Sequence, residues 1–185
     1  NFVFNSINYT ATVPFDRSLH WLHGAPMFHI ADANGLLTTT LHGGTHSFLP
    51  SFDVEKALAI IQDHRINYCL FVPTMINMMV NHPSLTKYDV SHPVRCQFGG
   101  SPMPEVVLRK AMQVLPSWKF INGYGMTELA PFVTGFELTA DMAGGSKAAL
   151  LKSCGHAAIG CEVRVVDDKG EDVPTGGIGE LLVRG

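Results

Sequence analysis

Short apolar runs alternate with amphipathic stretches between residues 53 and 121, and this alternation constrains the fold more than any other feature. Residues 53–65 carry apolar side chains at the spacing of one helix face, and Asp53 suits the N-cap of that helix. The apolar run 68–72 predicts a buried strand that ends at Pro73. Such β-α alternation favours a parallel sheet with helices on both faces.

The same alternation continues toward the middle of the chain. A helix is predicted over 74–81, a strand over 95–98, a helix from Pro104 to about 115 and a strand over 118–121. We therefore predict an α/β fold, with a layered, mostly parallel sheet and flanking helices.

The sequence changes character near residue 140, after which no helical period is evident. Residues 163–166 and 180–183 have the pattern of strands, with a hairpin-type turn at 167–170 after the first. We accordingly predict an α/β subdomain over 1–140, a loop over 141–150 and the start of a small β subdomain over 151–185.

Composition excludes several classes of function. A formal net charge of −3 gives no basic surface, so a nucleic-acid partner is not expected. No apolar run approaches the roughly 18–20 residues that a membrane span needs. The four cysteines show neither metal nor redox spacing, so we expect reduced thiols and a cytoplasmic location. Oligomeric state is left open.

The segment 121–128 reads Ile-Asn-Gly-Tyr-Gly-Met-Thr-Glu and follows a predicted strand. Its glycines allow a tight turn and close approach of the backbone to a ligand. Tyr124 offers a flat face for stacking, Thr127 a hydroxyl for a phosphate oxygen, and Glu128 an oxygen ligand for Mg²⁺. The segment predicts a site for a nucleotide and its metal, with an ordinary glycine turn as the alternative.

A second loop, 99–102, reads Gly-Gly-Ser-Pro and also follows a predicted strand. Its small side chains would let a flat base lie against the backbone, although alone it could be a plain strand-to-helix turn. In an open α/β sheet, ligands bind beyond the carboxyl ends of the strands. We therefore expect this loop and residues 122–128 to border one pocket.

The histidines are harder to interpret. His29 ends the run Pro-Met-Phe-His, and a lone histidine beside apolar residues is more often a core residue than a catalytic one. Zinc is disfavoured because His20 and His23 would point to opposite faces of a strand. Residues 144–147 lack the Gly-Lys-Ser/Thr order of a phosphate loop, so we predict a flexible loop there.

Taken together, these segments resemble the acyl-adenylate-forming (AMP-binding) synthetases, in particular the acyl-CoA synthetase or fatty-acid–CoA ligase branch. Residues 26–29 resemble that family's aromatic/histidine motif, and 99–102 its Gly-Ala-Pro loop. Residues 124–128 resemble its Tyr-Gly-x-Thr-Glu signature. Residues 153–185 are similar to its stretch from Ser-Val-Gly-Arg-Pro to Gly-Glu-(Leu/Ile)-x-x-x-Gly, so the resemblance covers essentially the whole chain.

The resemblance implies an acid–thiol ligase. Such an enzyme joins a carboxylic acid, here fatty or aromatic, to ATP as an acyl-AMP with the help of Mg²⁺, and then passes the acyl group to coenzyme A. Two alternatives remain open: a ligase that loads a carrier protein, and a non-catalytic nucleotide-binding or interaction module of the same fold.

The resemblance also implies roles for individual residues. Thr127 would hydrogen-bond the α-phosphate, Glu128 would hold Mg²⁺, and both would be catalytic together with His29, which would lie near the acyl carboxylate. Ala31 and Gly35 would form the wall of the acyl pocket. The residues that would surround AMP or ATP are Gly100, Ser101, Pro102, Asn122, Gly123, Tyr124, Gly125, Met126 and Thr127.

The chain departs from the family pattern in several places. The family's phosphate loop with its lysine would precede Asn1. Its Thr-Gly-Asp ribose motif, its hinge and its C-terminal domain with a catalytic lysine would follow Gly185. His156 stands where the family usually has arginine, and Ala157 where it often has proline. We therefore expect a central fragment of the N-terminal domain that is not a competent ligase by itself.

Overall fold

The fold is built on one seven-stranded sheet and a separate two-stranded sheet. The computed structural model describes residues 1–15, 18–139, 142 and 145–185. The helices within those residues are α1 (Phe2–Thr12), α2 (Ile30–Leu41), α3 (Val54–Asp63), α4 (Pro73–Val80) and α5 (Glu105–Val114). The strands are β1 (His20–His23), β2 (Thr45–Phe48), β3 (Tyr68–Leu70), β4 (Arg95–Phe98), β5 (Lys119–Gly125), β6 (Phe132–Leu138), β7 (His156–Ala157), β8 (Glu162–Val166) and β9 (Glu180–Arg184).

The large sheet has the strand order β2-β1-β3-β4-β5-β6-β7. The neighbouring strands β2, β1, β3, β4 and β5 are all parallel. β6 pairs antiparallel with β5, and β7 pairs antiparallel with β6. The predicted α/β fold with a mostly parallel sheet and flanking helices is confirmed. β8 and β9 pair antiparallel in the small sheet, at the two places where late strands were predicted.

One face of the large sheet is covered by α3, α4 and α5, and we call it the apolar face. Asp53 caps α3 as predicted, because its carboxylate accepts a hydrogen bond from the Lys56 amide at 2.9 Å. Leu58 of α3 and Leu108 of α5 are fully buried in one hydrophobic cluster with strand residues such as Phe98. The core on this side is therefore the one that helical periodicity predicts.

The opposite face is covered by α1 and α2, and we call it the polar face. Sequence analysis predicted neither helix. α1 turns Asn5, Ser6 and Tyr9 toward the sheet, whereas Phe2 and Phe4 are exposed. The buried positions of α2 are also polar or small; they are Asp32, Asn34, Gly35, Thr38 and Thr39. This pattern is the reverse of an ordinary amphipathic helix, so a search for apolar periodicity does not detect it.

Three further observations refine the predicted elements. β5 continues to Gly125, four residues beyond its predicted end at Ile121. Residues Gly145–Lys152 form a 3₁₀ helix, so the flexible loop predicted at 144–147 is not found at 145–147. This helix extends two residues beyond the predicted loop 141–150, and residues 141, 143 and 144 lie outside the described residues. In the described part of the chain, no helix is both long enough and apolar enough to cross a membrane. The division at residues 140 and 150 stays a prediction.

Candidate functional site

A cavity of about 610 Å³ opens at the carboxyl ends of the central parallel strands. Four parts of the chain border it: the segment that leads into α2, the end of β3 with the start of α4, the end of β4, and the end of β5 with the turn into β6. Ligands of open α/β sheets bind at this edge. The three segments that sequence analysis selected, 26–29, 99–102 and 122–128, all reach this cavity.

The loop after β4 comes very close to β5. A Cβ atom on Gly99 would lie 2.3 Å from the carbonyl oxygen of Gly123, so only glycine fits there. Gly100 has a φ of +76°, in the left-handed region that favours glycine, and has open space around it. Gly100 and Ser101 line the cavity, whereas Pro102 does not. The loop therefore presents backbone and one hydroxyl to a ligand.

The glycines of β5 serve close packing of the backbone. A Cβ atom on Gly125 would lie 1.6 Å from the carbonyl oxygen of Pro131, and one on Gly123 would lie 2.6 Å from Nε2 of Gln97. Both glycines are extended strand residues, so the tight turn predicted for them is not found. Tyr124, between them, is 36% exposed and lines the cavity. Its ring is available for stacking.

Thr127 and Glu128 begin a short 3₁₀ turn directly after β5. Both side chains are exposed and both residues line the cavity, as does Met126. Glu128 forms no ion pair with another described residue. The carboxylate is thus free to meet a ligand or a cation at the edge of the cavity.

Asn122 has a different position from the one expected. Its side-chain amide donates a hydrogen bond to the carbonyl oxygen of Ser153 at 2.7 Å, and it does not line the cavity. This bond ties the end of β5 to the segment that leads into β7. Asn122 is therefore placed to hold the end of β5 in position.

His29 lies at the N-terminus of α2 and is exposed. Its Nδ1 accepts a hydrogen bond from the Ala31 amide at 3.3 Å, so the imidazole caps the helix. His29 and Ala31 both line the cavity. Gly35 faces away from it, because a Cβ atom there would lie 2.4 Å from the ring of Trp21. Gly35 lets α2 approach β1 and does not itself reach the cavity.

Two cavity residues, Asn34 and Gln97, were missed by sequence analysis. Both are buried amides: Asn34 belongs to α2 and Gln97 to β4. Two signals could have identified them. Asn34 follows Ala31 by three residues and so shares its helix face. Gln97 is a polar residue inside an otherwise apolar strand, two residues before the Gly-Gly loop.

A buried polar network lies beneath α2. The Asp32 carboxylate is 3.0 Å from Nδ1 of His23 and accepts a 3.3 Å hydrogen bond from Nε1 of Trp21. Nε2 of His23 is in turn 2.9 Å from Nδ1 of His46. Loss of hydration lowers the pKa of His46, and the neighbouring His23 and His20 lower it further. The network anchors α2, and with it the cavity wall, to β1 and β2.

The described residues contain no group of three or more histidine, cysteine or acidic side chains that could hold a metal ion by themselves. The four cysteines are free thiols. Burial raises the pKa of the Cys69 thiol. The cavity offers a ligand backbone groups, hydroxyls, two amides, an imidazole, aromatic rings and one carboxylate.

Comparison with known proteins shows which family the chain is similar to. A protein-family model described as "AMP-binding enzyme" matches residues 1–185. Acyl-CoA synthetase 7 of Caenorhabditis elegans is 33% identical over 173 residues, which are 94% of this chain and 29% of that protein. Feruloyl-CoA synthase of an Amycolatopsis species is 32% identical over 187 residues, covering 100% of this chain and 36% of that protein. The chain thus spans about a third of the length of these curated relatives.

A solved structure of similar fold is the amide bond synthetase McbA from Marinactinospora thermotolerans. It superimposes with a TM-score of 0.83 and 25% sequence identity, over 99% of this chain and 35% of that one. The relatives and this structure have different named activities, and McbA shares the fold described above.

Proposed function

We start from the premise that the chain belongs to the AMP-binding enzyme family, and we propose that it carries the nucleotide and acid site of an ATP-dependent acid–CoA ligase. One observation carries the proposal: the loop after β4, the end of β5 and the start of α2 converge on a single cavity. The same residues supply the groups that binding a nucleotide and an acid would require.

The nucleotide would lie on the side of the cavity formed by the loop after β4 and the end of β5. In this proposal Gly100 and Ser101 lie beside adenine and Tyr124 stacks on it. Thr127 donates a hydrogen bond to the α-phosphate. Fixed donors of this kind stabilise charge that develops on the phosphate as the acid attacks. Gly123, Gly125 and Met126 complete this wall, whereas Asn122 and Pro102 lie outside the cavity.

Glu128 fits the role of a Mg²⁺ ligand. Mg²⁺ is commonly held by one or two carboxylates together with substrate phosphates and waters, and a single free carboxylate at the cavity edge matches that pattern. When bound, the ion would supply positive charge beside the phosphates. Glu128 would hold it, and Thr127 in the same turn would position the α-phosphate.

The acid would occupy the side of the cavity formed by α2 and the end of β3. His29 lies at the cavity edge, where we propose that it meets the carboxylate, and Ala31 forms part of the wall. Leu70, Val72 and Met75 make the rest of this wall apolar, which suits an aliphatic chain or an aromatic ring. The thiol acceptor in this proposal is coenzyme A. The isolated 185 residues are proposed to bind these ligands without completing the ligation.

Calorimetric titration of the chain with a non-hydrolysable acyl-sulfamoyl adenosine, in the presence of Mg²⁺, tests the proposal. We expect saturable binding that Thr127→Ala weakens by about ten- to a hundredfold, because a hydrogen bond to a charged oxygen is worth roughly 1.5–3 kcal/mol. The matched control is Thr86→Ala, since Thr86 is an exposed threonine that lies outside the cavity. If both substitutions weakened binding equally, or if neither weakened it, the result would contradict the proposed site.

A further inference from the structure

The small sheet, formed by β8 and β9, has one open edge. Its register pairs Val163 with Val183 and Val165 with Leu181. The other edge of β8 is partly occupied, because the Val173 amide donates a hydrogen bond to the Val165 carbonyl oxygen at 3.0 Å. Among the described residues, β9 pairs with β8 and with no other strand. A sheet of two strands is marginally stable by itself, so the open edge of β9 is a place where a further strand can add.

The bond between Val173 and Val165 shows which backbone groups face the open edge. The N–H and C=O groups of one residue in an antiparallel strand point to the same side, and the side alternates from residue to residue. Because the Val165 carbonyl points away from β9, the backbone groups of its neighbour Leu181 point away from β8. Those of Val183, two residues along, do the same. The open edge thus presents two N–H and two C=O groups that bond no described residue.

β9 carries opposite charges at its two ends. Glu180 begins the strand and Arg184 ends it, and both are exposed. Leu182 is the middle residue, so an antiparallel copy of β9 centred on Leu182 would place each Glu180 directly opposite the Arg184 of the other copy. Opposite charges that face each other on neighbouring strands are stabilising. Arg184 already bonds Glu162 of β8 at 2.7 Å, and the pairing would extend this contact to a row of three alternating charges.

The same register also satisfies the open backbone groups. It places Leu181 opposite Val183 of the second copy, where the outward N–H and C=O groups of the two residues bond each other. Two-fold symmetry repeats this pair, so all four outward groups gain a partner. Side chains alternate in direction along a strand, so Leu181 and Val183 share one face with Val163 and Val165. Leu181 is 36% exposed and Val165 37% exposed, and pairing would join the apolar faces of the two copies.

We propose that β9 is an interaction surface for a second copy of this chain, which pairs antiparallel about Leu182 to form a four-stranded sheet. Charge complementarity selects this partner and this direction, because a parallel arrangement would bring like charges together. The interface is the same patch on both copies, as two-fold symmetry requires. None of the described residues of β8 and β9 lines the cavity, so this interaction is independent of the proposed function.

Sedimentation velocity of the 185-residue chain, from micromolar to millimolar concentration, tests the proposal together with amide exchange followed by NMR. We expect a monomer–dimer equilibrium. The amides of Leu181 and Val183 should become protected from exchange as the concentration rises, whereas that of Leu182, which faces β8, should be protected throughout. A chain that stays monomeric over this range would overturn the proposal. A dimer that leaves the amides of Leu181 and Val183 unprotected would overturn it as well.

Charge variants test the register. Glu180→Lys and Arg184→Glu each place like charges opposite one another at two points of the symmetric pair, so each should raise the dissociation constant about tenfold. An equimolar mixture of the two variants restores opposite charges at both points and should recover most of the affinity. Glu171→Lys, the same charge change beyond the other edge of β8, should leave the dissociation constant unchanged. Equal weakening by Glu171→Lys and Glu180→Lys, or no recovery in the mixture, would contradict the proposed pairing.

Discussion

The two faces of the large sheet are held to their helices by different kinds of interaction. On the apolar face, α3 to α5 bury leucine, isoleucine, valine and phenylalanine side chains in one continuous cluster. On the polar face, α1 and α2 bury hydroxyls, amides and a carboxylate, and several of these have a specific partner across the sheet or the helix pair, including Asn5, Ser6, Tyr9 and Asp32. The buried hydroxyls of Thr38 and Thr39 have no hydrogen-bond partner among the described residues. The apolar face needs only volume and hydrophobicity, whereas the polar face depends on individual hydrogen bonds.

The difference follows from where the cavity lies. The walls that α2 and β4 contribute belong to the polar face, and the buried network beneath α2 holds that wall against β1. A hydrophobic contact tolerates sliding, but a buried hydrogen bond fixes distance and orientation. We infer that the apolar face mainly stabilises the fold. The polar face buries less hydrophobic surface, but its hydrogen bonds fix the shape of the cavity. Matched substitutions on the two faces can test this division.

The largest effect is expected from Asp32→Ala on the polar face, compared with Leu58→Ala on the apolar face. Removing the Asp32 carboxylate leaves His23 and the Trp21 N–H without their buried partner, which should lower the free energy of unfolding by about 1–3 kcal/mol for each of the two groups, or about 2–6 kcal/mol in all. Leu58→Ala leaves a cavity in the core and should cost about 2–5 kcal/mol. Urea unfolding measures both losses.

The two substitutions should differ in their effect on binding. At temperatures where both variants are folded, Asp32→Ala should weaken binding of the acyl-sulfamoyl adenosine, whereas Leu58→Ala should not. Equal affinities in the two variants would show that the polar network beneath α2 has no role in positioning the cavity wall.

A smaller effect is expected from Tyr9→Phe. The substitution removes the hydroxyl that bonds both Gln97 and Tyr68, and an unpaired buried acceptor costs about 1–3 kcal/mol of unfolding free energy. Tyr88→Phe is the matched control on the apolar face, because Tyr88 packs against that cluster and its hydroxyl bonds no other described side chain. Thermal unfolding should separate the two variants, and a loss as large for Tyr88→Phe would contradict the comparison.

The smallest effect concerns pH. The pKa of His46 is lowered in the folded chain, chiefly by loss of hydration and then by His23 and His20. The unfolded chain therefore takes up a proton near pH ~6.5, before the folded chain does, so stability falls as the pH drops from about 7 through the folded pKa. His46→Gln should reduce the fall in Tm over this pH range, and only by a small amount because His46 is partly exposed to solvent. An identical fall in the variant would exclude His46 as a contributor.

The same contrast explains what could be predicted from the sequence. The elements of the apolar face were predicted within a few residues, because Val54, Leu58 and Ile61 share a helix face and Pro73 marks the change from strand to helix. α1 was not predicted, since its exposed residues include Phe2 and Phe4 while its buried ones are polar. Helical periodicity is detectable where burial is apolar, and it fails where hydrogen bonds replace hydrophobic contacts.

The site was predicted in the same uneven way. The segments that carry Gly100, Tyr124 and Glu128 were selected from their residue types, and they do border the cavity. Asn34 and Gln97 were not selected, because each is a single amide whose importance depends on partners far along the chain: Ser6 for Asn34 and Tyr9 for Gln97. A sequence read segment by segment does not show such long-range pairings.

Amide hydrogen exchange of the chain, with and without an acyl-sulfamoyl adenosine and Mg²⁺, tests the central claim most directly. The claim is that the ends of β4 and β5 and the start of α2 form one binding site on the polar face. We predict that the ligand slows exchange in all three segments, 97–101, 123–129 and 30–35, and leaves α3 and α5 unchanged. Protection confined to one segment, or protection that appears in α3 and α5 instead, would contradict it.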